Sequence, residues 1–600
     1  MISKTKIKRL YKIYKSPIRK LHRILNRTQF LIFLGALVGI TAGFAAVLLK
    51  TIVHYIRIFL STDYNIPFQY YVLAILPFVG ILLTVFVVKH FFNGNIGRGI
   101  SNVLFEIAQK SSFVQHHKMY SHIITSSLTV GFGGSAGLEA PIVVTGSAIG
   151  SNFGKAYNVN YKDRTLLLAC GAAAGIAAVF NAPVAGIMFA MEVMLTDITI
   201  IEMLPLIIAA VSGALCSKIV LQEEILFFFN LKQSFNYANV PFYIGLGILS
   251  GFVSLYYARM THRIEHFFSR YKNKIYLRAI IGGTILIILT LLFPPLFGEG
   301  YNSIKILSDG NPSALLDKSI FASFSDTQWF VLIFVGLIAF VKVIATSITL
   351  SSGGNGGNFA PSLFVGAFFG YFYAHFINLF RTTPLPESNF TLVSMSGVLS
   401  GVMYAPLTGI FLIAEITGGY DLMIPLMIVS SFSFFIAKHF EPYSMDTKKL
   451  ATIGQIFTSD KDNNILTLIK TADLIEQDIM TIQLDSDLGD LVEILKNCHR
   501  YIFAVVNAKN EFEGILSIDD IRSIMFRQDL YNKIRIREIL KIPPVIIQTT
   551  DDMRTVMKKF DESGHWNIPV LDKKIYVGFI SKSRLLLNYR NQLRKQTGIL

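Results

Sequence analysis

Of its 600 residues, 52% are hydrophobic and only 16% are charged, well below the about 25% charged content of a soluble domain, and the mean hydropathy is +0.51. This excludes a wholly soluble globular protein and points to a polytopic membrane protein. The net charge of +16 raises the question of nucleic acid, and the three scattered cysteines, Cys170, Cys216 and Cys498, suggest neither a disulfide framework nor a metal site.

Much of the positive charge sits at the start. Residues 1–28 hold ten Lys or Arg and no acid, and an apolar run begins at Thr28. A basic stretch abutting an apolar run reads as a cytoplasmic membrane flank rather than a nucleic-acid-binding arm. It is too long and too basic, with no small-residue cleavage site after the run, for a signal peptide. From 29 to 443 apolar runs follow one another, among them 29–52, 70–92, 203–220, 277–297, 328–350 and 422–437. Several approach the roughly 20 residues that span a bilayer core as a helix. Shorter stretches broken by Gly or Pro read as discontinuous or re-entrant helices. Residues 444–470 read as a polar linker, and 471–600 as a soluble α/β domain.

Within the membrane part, "GGSAGLEAP" at 133–141 echoes "GGNGGNFAP" at 353–361, an offset of 220, and "APVAGIMFAME" at 182–192 echoes "APLTGIFLIAE" at 405–415, an offset of 223. His122 and Lys342 keep step, lying 17 residues before Glu139 and Phe359 of the two copies of the first motif. Two motifs in the same order at near-constant separation imply two structural halves, with a substrate site expected where they meet. Spacing leaves open whether the repeats are parallel or inverted.

Each first motif reads as a Gly-rich loop entering a helix. Gly137 and Gly357 permit close approach, while Pro141 and Pro361 fit a first helical turn, where no donor is lost. Unpaired N–H groups and the positive end of the helix dipole suit an anion, without the full cation that would hold it too tightly for passage. Glu139 lies in the first of these loops, and Phe359 takes its place in the second. An intramembrane carboxylate is costly and by default functional. The alternative is a cap that only stabilises its helix.

These motifs resemble those of the CLC chloride channel and transporter family. "GGSAGLEAP" looks like the segment around its gating glutamate, "GGNFAP" like its anion-binding signature, and "FNAPVAGIMFAME" and "YAPLTGIFLIAE" like two further segments. "EPYS" at 441–444 fits the segment that delivers a central tyrosine. The resemblance implies an all-α polytopic fold of two inverted repeats with broken helices, in a homodimer with one pore per subunit. It also implies Glu139 as external gate, an anion site lined by the amides of Asn358, Phe359 and Ala360, a hydroxyl from Tyr443, and chloride as the transported ion.

Two departures from the family stand out. "GRGIS" at 97–101 replaces the usual GSGIP, so Arg98 stands in the serine position and Ser101 in the proline position. Arg98 either snorkels to the water-filled entrance, leaving the Gly97 and Gly99 amides to the anion, or sits in the pathway and strengthens anion attraction. Val193 follows Glu192 where many family exchangers carry an internal, proton-relaying glutamate. A valine carries no proton, which favours a passive, glutamate-gated channel; the alternative is a proton-coupled antiporter using another route. Glu192 and Glu415 recur in both halves and read first as structural partners of helix termini, with a proton path as the alternative. His122 and Lys342 either tune Glu139 and attract anions or bond buried carbonyls, and Lys342 has the further option of snorkelling.

In the soluble part "GILSIDD" at 514–520 echoes "GFISKSR" at 578–584, an offset of 64. This tandem repeat resembles a CBS pair, at about 471–530 and 537–595. The resemblance implies that Ser517 and Asp520 are placed to hold an adenine nucleotide. The second repeat keeps Ser581 but has Arg584 in place of the acid, so one degenerate site is expected at best, with a purely structural dimerisation module as the alternative. No cofactor is required. A cation transporter with CBS modules would want several intramembrane acids as hard-ion ligands, and an enzyme would want a motif such as HExxH or a Walker loop; neither pattern is present. The expected location is a bacterial inner membrane with both termini cytoplasmic.

Overall fold

A computed structural model of the chain describes residues 25–597 apart from 62–68, 95, 98, 196–198, 222–234, 317–318, 381–383, 453–465, 467–468, 478–479 and 497–499. Most of the basic N-terminal segment, Arg98, most of the expected linker and Cys498 thus lie outside the described residues. The chain divides into two units, Met1–Thr452 and Ile453–Leu600.

The first unit is helical. Its N-terminal half holds α1 (Arg27–Ser61), α2 (Gln69–Phe91), α3 (Gly99–Gln109), α4 (Lys118–Gly131), α5 (Glu139–Ala156), α6 (Tyr161–Phe180), α7 (Pro183–Phe189) and α8 (Ile200–Val220). Its C-terminal half holds α9 (Val240–Ser269), α10 (Ile275–Leu292), α11 (Tyr301–Ser308), α12 (Gln328–Ser352), α13 (Phe359–Asn378), α14 (Glu387–Met403), α15 (Pro406–Ile416), α16 (Met423–Phe440) and α17 (Met445–Thr452). Among the described residues nine helices are long and apolar enough to cross a membrane. A helix is the form that bonds its own backbone where no water is present.

The centre of the unit is built from small residues. In its most apolar stretch α6 is 94% buried, and a Cβ on Gly171 would stand 1.9 Å from the Gly146 carbonyl oxygen of α5. The same device recurs between α13 and α14, where a Cβ on Gly366 would stand 2.5 Å from Ser394 O. Without a hydrophobic drive between helices in lipid, backbone-to-backbone packing of this kind supplies the association energy.

The halves are exchanged by a two-fold relation. Gly137 N donates to Gly357 O at 2.9 Å, and Gly357 N donates to Gly137 O at 2.8 Å. Equivalent residues that each receive the bond they give are related by a two-fold rotation. The two sharp turns also match: Asn181 ends α6 at φ 53° and Tyr404 ends α14 at φ 58°. The next residue in each is Ala, held extended by the following proline. Asn tolerates the left-handed region, whereas a bulky residue there is an outlier. Tyr404 is secured by its hydroxyl, which donates to Ala437 O at 3.1 Å and Glu441 O at 2.5 Å.

The second unit is a tandem repeat. Strands β1 (Thr481–Gln483), β2 (Ile502–Val506) and β3 (Phe512–Ser517) form one sheet and β4 (Ile547–Gln548), β5 (Asn567–Asp572) and β6 (Ile575–Ser581) another. In each the first pair is parallel and the second antiparallel. The repeats interlock: Lys541, near the start of the second repeat, exchanges bonds with Ile515 of β3, and Glu476, near the start of the first, exchanges bonds with Phe579 of β6.

Candidate functional site

The Gly137–Gly357 bridge brings the N-termini of α5 and α13 together. Close approach is why both positions are glycine: a Cβ on Gly137 would meet the Glu139 carboxylate at 2.1 Å, and one on Gly357 would meet Ala140 Cβ at 2.6 Å. Pro141 and Pro361 both fall in the first turns of these helices.

Glu139 is fully buried. Its Oε2 accepts from the Ala360 amide of α13 at 3.3 Å, and its Oε1 accepts from the Tyr301 hydroxyl of α11 at 2.8 Å. The carboxylate therefore sits on the helix N-terminus of the opposite half. Phe359 is buried beside it, its ring 5.6 Å from that of Phe180 and 6.2 Å from that of Phe189.

A cavity of about 310 Å³ reaches these N-termini. Its wall includes Gly99, Ser101, Ala140, Gly357, Asn358 and Phe359. It also carries both signs of charge, from Glu265, Lys272, Arg278 and Asp446. Ser101, at the start of α3, donates to Asp446 of α17 at 3.0 Å. Gly99 and Gly97 adopt φ 72° and 61°, the left-handed region that glycine enters without penalty.

Tyr443 departs from expectation. It lines a second, smaller cavity with Tyr404, Glu441, His262 and Lys448. The segment is drawn there because the Glu441 carboxylate pairs with Arg259 and Lys448 and its carbonyl accepts the Tyr404 hydroxyl. The hydroxyl that meets Asn358 is that of Tyr257 in α9, which donates to Asn358 Oδ1 at 3.2 Å.

Glu192 and Glu415 lie away from the cavity. Glu192 accepts from the amides of Leu407 and Thr408 at 2.9 and 2.8 Å, and Glu415 from those of Val184 and Ala185 at 3.0 and 2.8 Å. Val193 lies in a π-helical turn, Ala190–Met194, after α7. His122 is buried, with Nε2 3.2 Å from Ile96 O and Nδ1 3.2 Å from Asn355 Nδ2. A carbonyl only accepts, so Nε2 is the donor to Ile96 O. Lys342 is fully buried and does not snorkel: Nζ donates to Leu296 O at 3.2 Å and Gly298 O at 2.8 Å and lies 4.6 Å from the Phe364 ring centre. Each base holds the turn that leads into a short helix, His122 that before α3 and Lys342 that before α11.

Residues 79–438 match the profile described as voltage gated chloride channel, and residues 472–527 and 536–591 match the CBS domain. The chain belongs to the voltage gated chloride channel family. Among relatives, it is 30% identical over 420 residues to the H(+)/Cl(-) exchange transporter ClcA of Vibrio vulnificus, covering 66% of this chain and 84% of that protein. It is 30% identical over 428 residues to chloride channel protein CLC-e of Arabidopsis thaliana, covering 66% of this chain but only 58% of the plant protein. In fold it is similar to a slow cyanobacterial Cl-/H+ antiporter, with a TM-score of 0.61 at 22% identity, over 72% of this chain and 98% of that one. For this member of the voltage gated chloride channel family, the CLC-like membrane fold with a CBS pair expected from sequence stands.

In the CBS pair, Ser517 and Asp520 cap one another. The Ser517 hydroxyl donates to Asp520 Oδ2 at 2.7 Å, and Lys541 Nζ bonds Asp520 Oδ1 at 2.5 Å. In the second repeat the Ser581 hydroxyl donates to buried Glu476 at 2.5 Å, and Glu476 pairs with Arg500 at 2.7 Å. The donors of the second repeat are thus committed inside the fold and do not fit a nucleotide. Those of the first fit one only if Asp520 exchanges Lys541 for a ribose.

Tyr257, Tyr301, Glu299 and Asp446 escaped the sequence reading. Glu299, an acid between two glycines at the end of an apolar run, was the one legible signal. Tyr257 sits in an ordinary apolar helix and carried none.

Proposed function

We propose that this protein exchanges chloride for protons across a membrane. The observation that carries this reading is the seat of Glu139, a carboxylate held by the Ala360 amide and the Tyr301 hydroxyl where the resemblance puts an anion. A group seated there excludes the anion when charged. Once protonated it loses the charge that the amide and the helix dipole favour, and it leaves the seat to the anion. Chloride and proton are then handled by one residue in alternation, which is the requirement of an exchanger.

Val193 suggested passive conduction, and the named relatives favour exchange instead. The proton route from the other side then avoids Val193, and the carboxylates on the cavity wall, Glu265 and Asp446, supply candidates. Glu192 is already engaged by two amides and the Thr408 hydroxyl, which supports a structural role over a proton path. A homodimer in a bacterial inner membrane, with cytoplasmic termini, completes the reading. For the CBS pair, an adenine nucleotide at Ser517 and Asp520 is tested by equilibrium binding of AMP and ATP, with Asp520→Ala as control.

The test is flux from liposomes under a chloride gradient with an external pH electrode. Uphill proton movement driven by chloride is expected, with Glu139→Gln abolishing it while chloride still moves. Fast chloride flux without protons in the unaltered protein would establish a channel. An absence of anion flux from folded protein would sink the reading altogether.

A further inference from the structure

We infer that Tyr301 latches the gate, so that its hydroxyl sets how strongly the Glu139 carboxylate competes with the transported anion. This rests on the reading of Glu139 as the gate and adds the residue that tunes it.

Among the described residues beyond its own helix the carboxylate accepts from two donors, and the Tyr301 hydroxyl, at 2.8 Å, is nearer than the Ala360 amide at 3.3 Å. Both Tyr301 and Glu139 are buried, so water does not readily replace the bond. A hydrogen bond to an ionised acceptor is roughly twice as strong as one between neutral groups. The hydroxyl thus favours the charged, seated gate over the protonated one. Its bond is to Glu139, so it acts through Glu139 and is a positioning residue.

The position of that hydroxyl is over-determined. The turn before Tyr301 is tied from three sides. Lys342 Nζ donates to Leu296 O and Gly298 O. Gly298 N donates to Gly133 O at 2.8 Å, joining the turn to the glycine loop that leads to Glu139. Glu299 pairs with Arg57 of α1 at 3.2 Å. Gly298 and Gly300 take φ 64° and 89°, and a Cβ on Gly300 would stand 2.4 Å from the Phe364 ring. The phenol ring is backed by Phe180, centre to centre 6.4 Å. A donor held this firmly is preorganised for one acceptor position and does not follow the carboxylate when it swings away.

The experiment is isothermal titration of chloride into purified full-length protein, wild type against Tyr301→Phe, Glu139→Gln and the double variant. Removing the hydroxyl weakens the competitor, so Tyr301→Phe should bind chloride roughly tenfold more tightly, the scale of one charge-assisted bond. Glu139→Gln should also tighten binding, and Tyr301→Phe should then be silent in the Glu139→Gln background. Lys342→Met, which loosens the turn but keeps the hydroxyl, should shift affinity in the same direction by a smaller factor and provides the readout if Tyr301→Phe does not fold. Wild-type affinity in Tyr301→Phe beside a tightened Glu139→Gln would overturn the latch while leaving the gate intact. An equal gain in both backgrounds would overturn it too, since the hydroxyl would then act on the anion directly. If neither wild type nor Glu139→Gln binds chloride, the anion-site reading falls and the latch with it.

Discussion

Glu192 and Glu415 each cap the helix that begins in the opposite half of the membrane unit. Glu192 takes the amides of Leu407 and Thr408 at the start of α15, and Glu415 takes those of Val184 and Ala185 at the start of α7. Proline precedes both amide pairs, so the two N–H groups captured are among the orphans of each first turn. The pair works as a reciprocal clasp across the pseudo-two-fold.

Loss of Glu415 leaves the part-buried amides of Val184 and Ala185 without their acceptor, and loss of Glu192 does the same to the part-buried amide and hydroxyl of Thr408, the Leu407 amide being exposed. Each costs about 1–3 kcal/mol, so Glu192→Ala and Glu415→Ala should each destabilise by roughly 3 kcal/mol, seen as a lowered melting temperature in detergent. The Gln variants keep one accepting oxygen and should lose about half as much. If Glu192 were a proton relay, Glu192→Gln would lower the proton-to-chloride ratio in liposomes; the clasp predicts an unchanged ratio.

The α5–α6 contact predicts a sharp size limit. At Gly146 a Cβ would stand 2.1 Å from Gly171 O, a backbone atom that cannot turn aside. Gly146→Ala and Gly171→Ala should force the helices apart, at the about 1–3 kcal/mol typical of overpacking or more, and reduce the yield of monodisperse protein. Gly419→Ala, where the nearest atom is 3.9 Å away, serves as a control and should be nearly neutral.

The Ser101–Asp446 bond places an acid on the wall of the cavity that reaches the helix N-termini proposed as the anion site. A negative charge at such a mouth lowers the local anion concentration. Asp446→Asn should therefore raise initial chloride flux roughly two- to tenfold at low ionic strength, with the gain shrinking as salt screens the charge. A gain that is independent of salt would show that Asp446 acts by packing instead.

In the CBS pair, burial raises the proton affinity of Asp520, but hydrogen bonds from Lys541 and Ser517 outweigh it and hold the carboxyl below its usual range. A depressed folded value means that this contribution is complete above the ordinary carboxylate value of about 4 and is lost as pH falls through the folded one. Amide protection factors across 515–541 should be indifferent to pH between 7 and 5 and fall below about pH 4. Asp520→Asn should exchange faster at neutral pH and lose that acid step.

Sequence legibility followed chemistry. The signature loops were readable because glycine, proline and an isolated acid leave strong local marks, and the offset between the two copies disclosed the halves. Helix α6 was harder to see: its Ala- and Gly-rich composition reflects burial among other helices, so it lacks the strong hydropathy of lipid-facing spans. Tyr443 was placed by its motif alone, whereas its position follows from the Glu441 pairs with Arg259 and Lys448, the first of which joins residues far apart in the chain.

By itself the sequence determined that this is a membrane protein of two related halves with an acid at a helix N-terminus, followed by a CBS pair, because composition, periodic repeats and turn residues act locally. Only the tertiary structure decided which helix receives Glu139, that Tyr257 meets Asn358, and that Glu192 and Glu415 serve opposite halves. These hydrogen bonds join residues more than 100 positions apart, within a half for Tyr257 and Asn358 and across the halves for the glutamates, and no local pattern in the chain encodes how such segments close on each other.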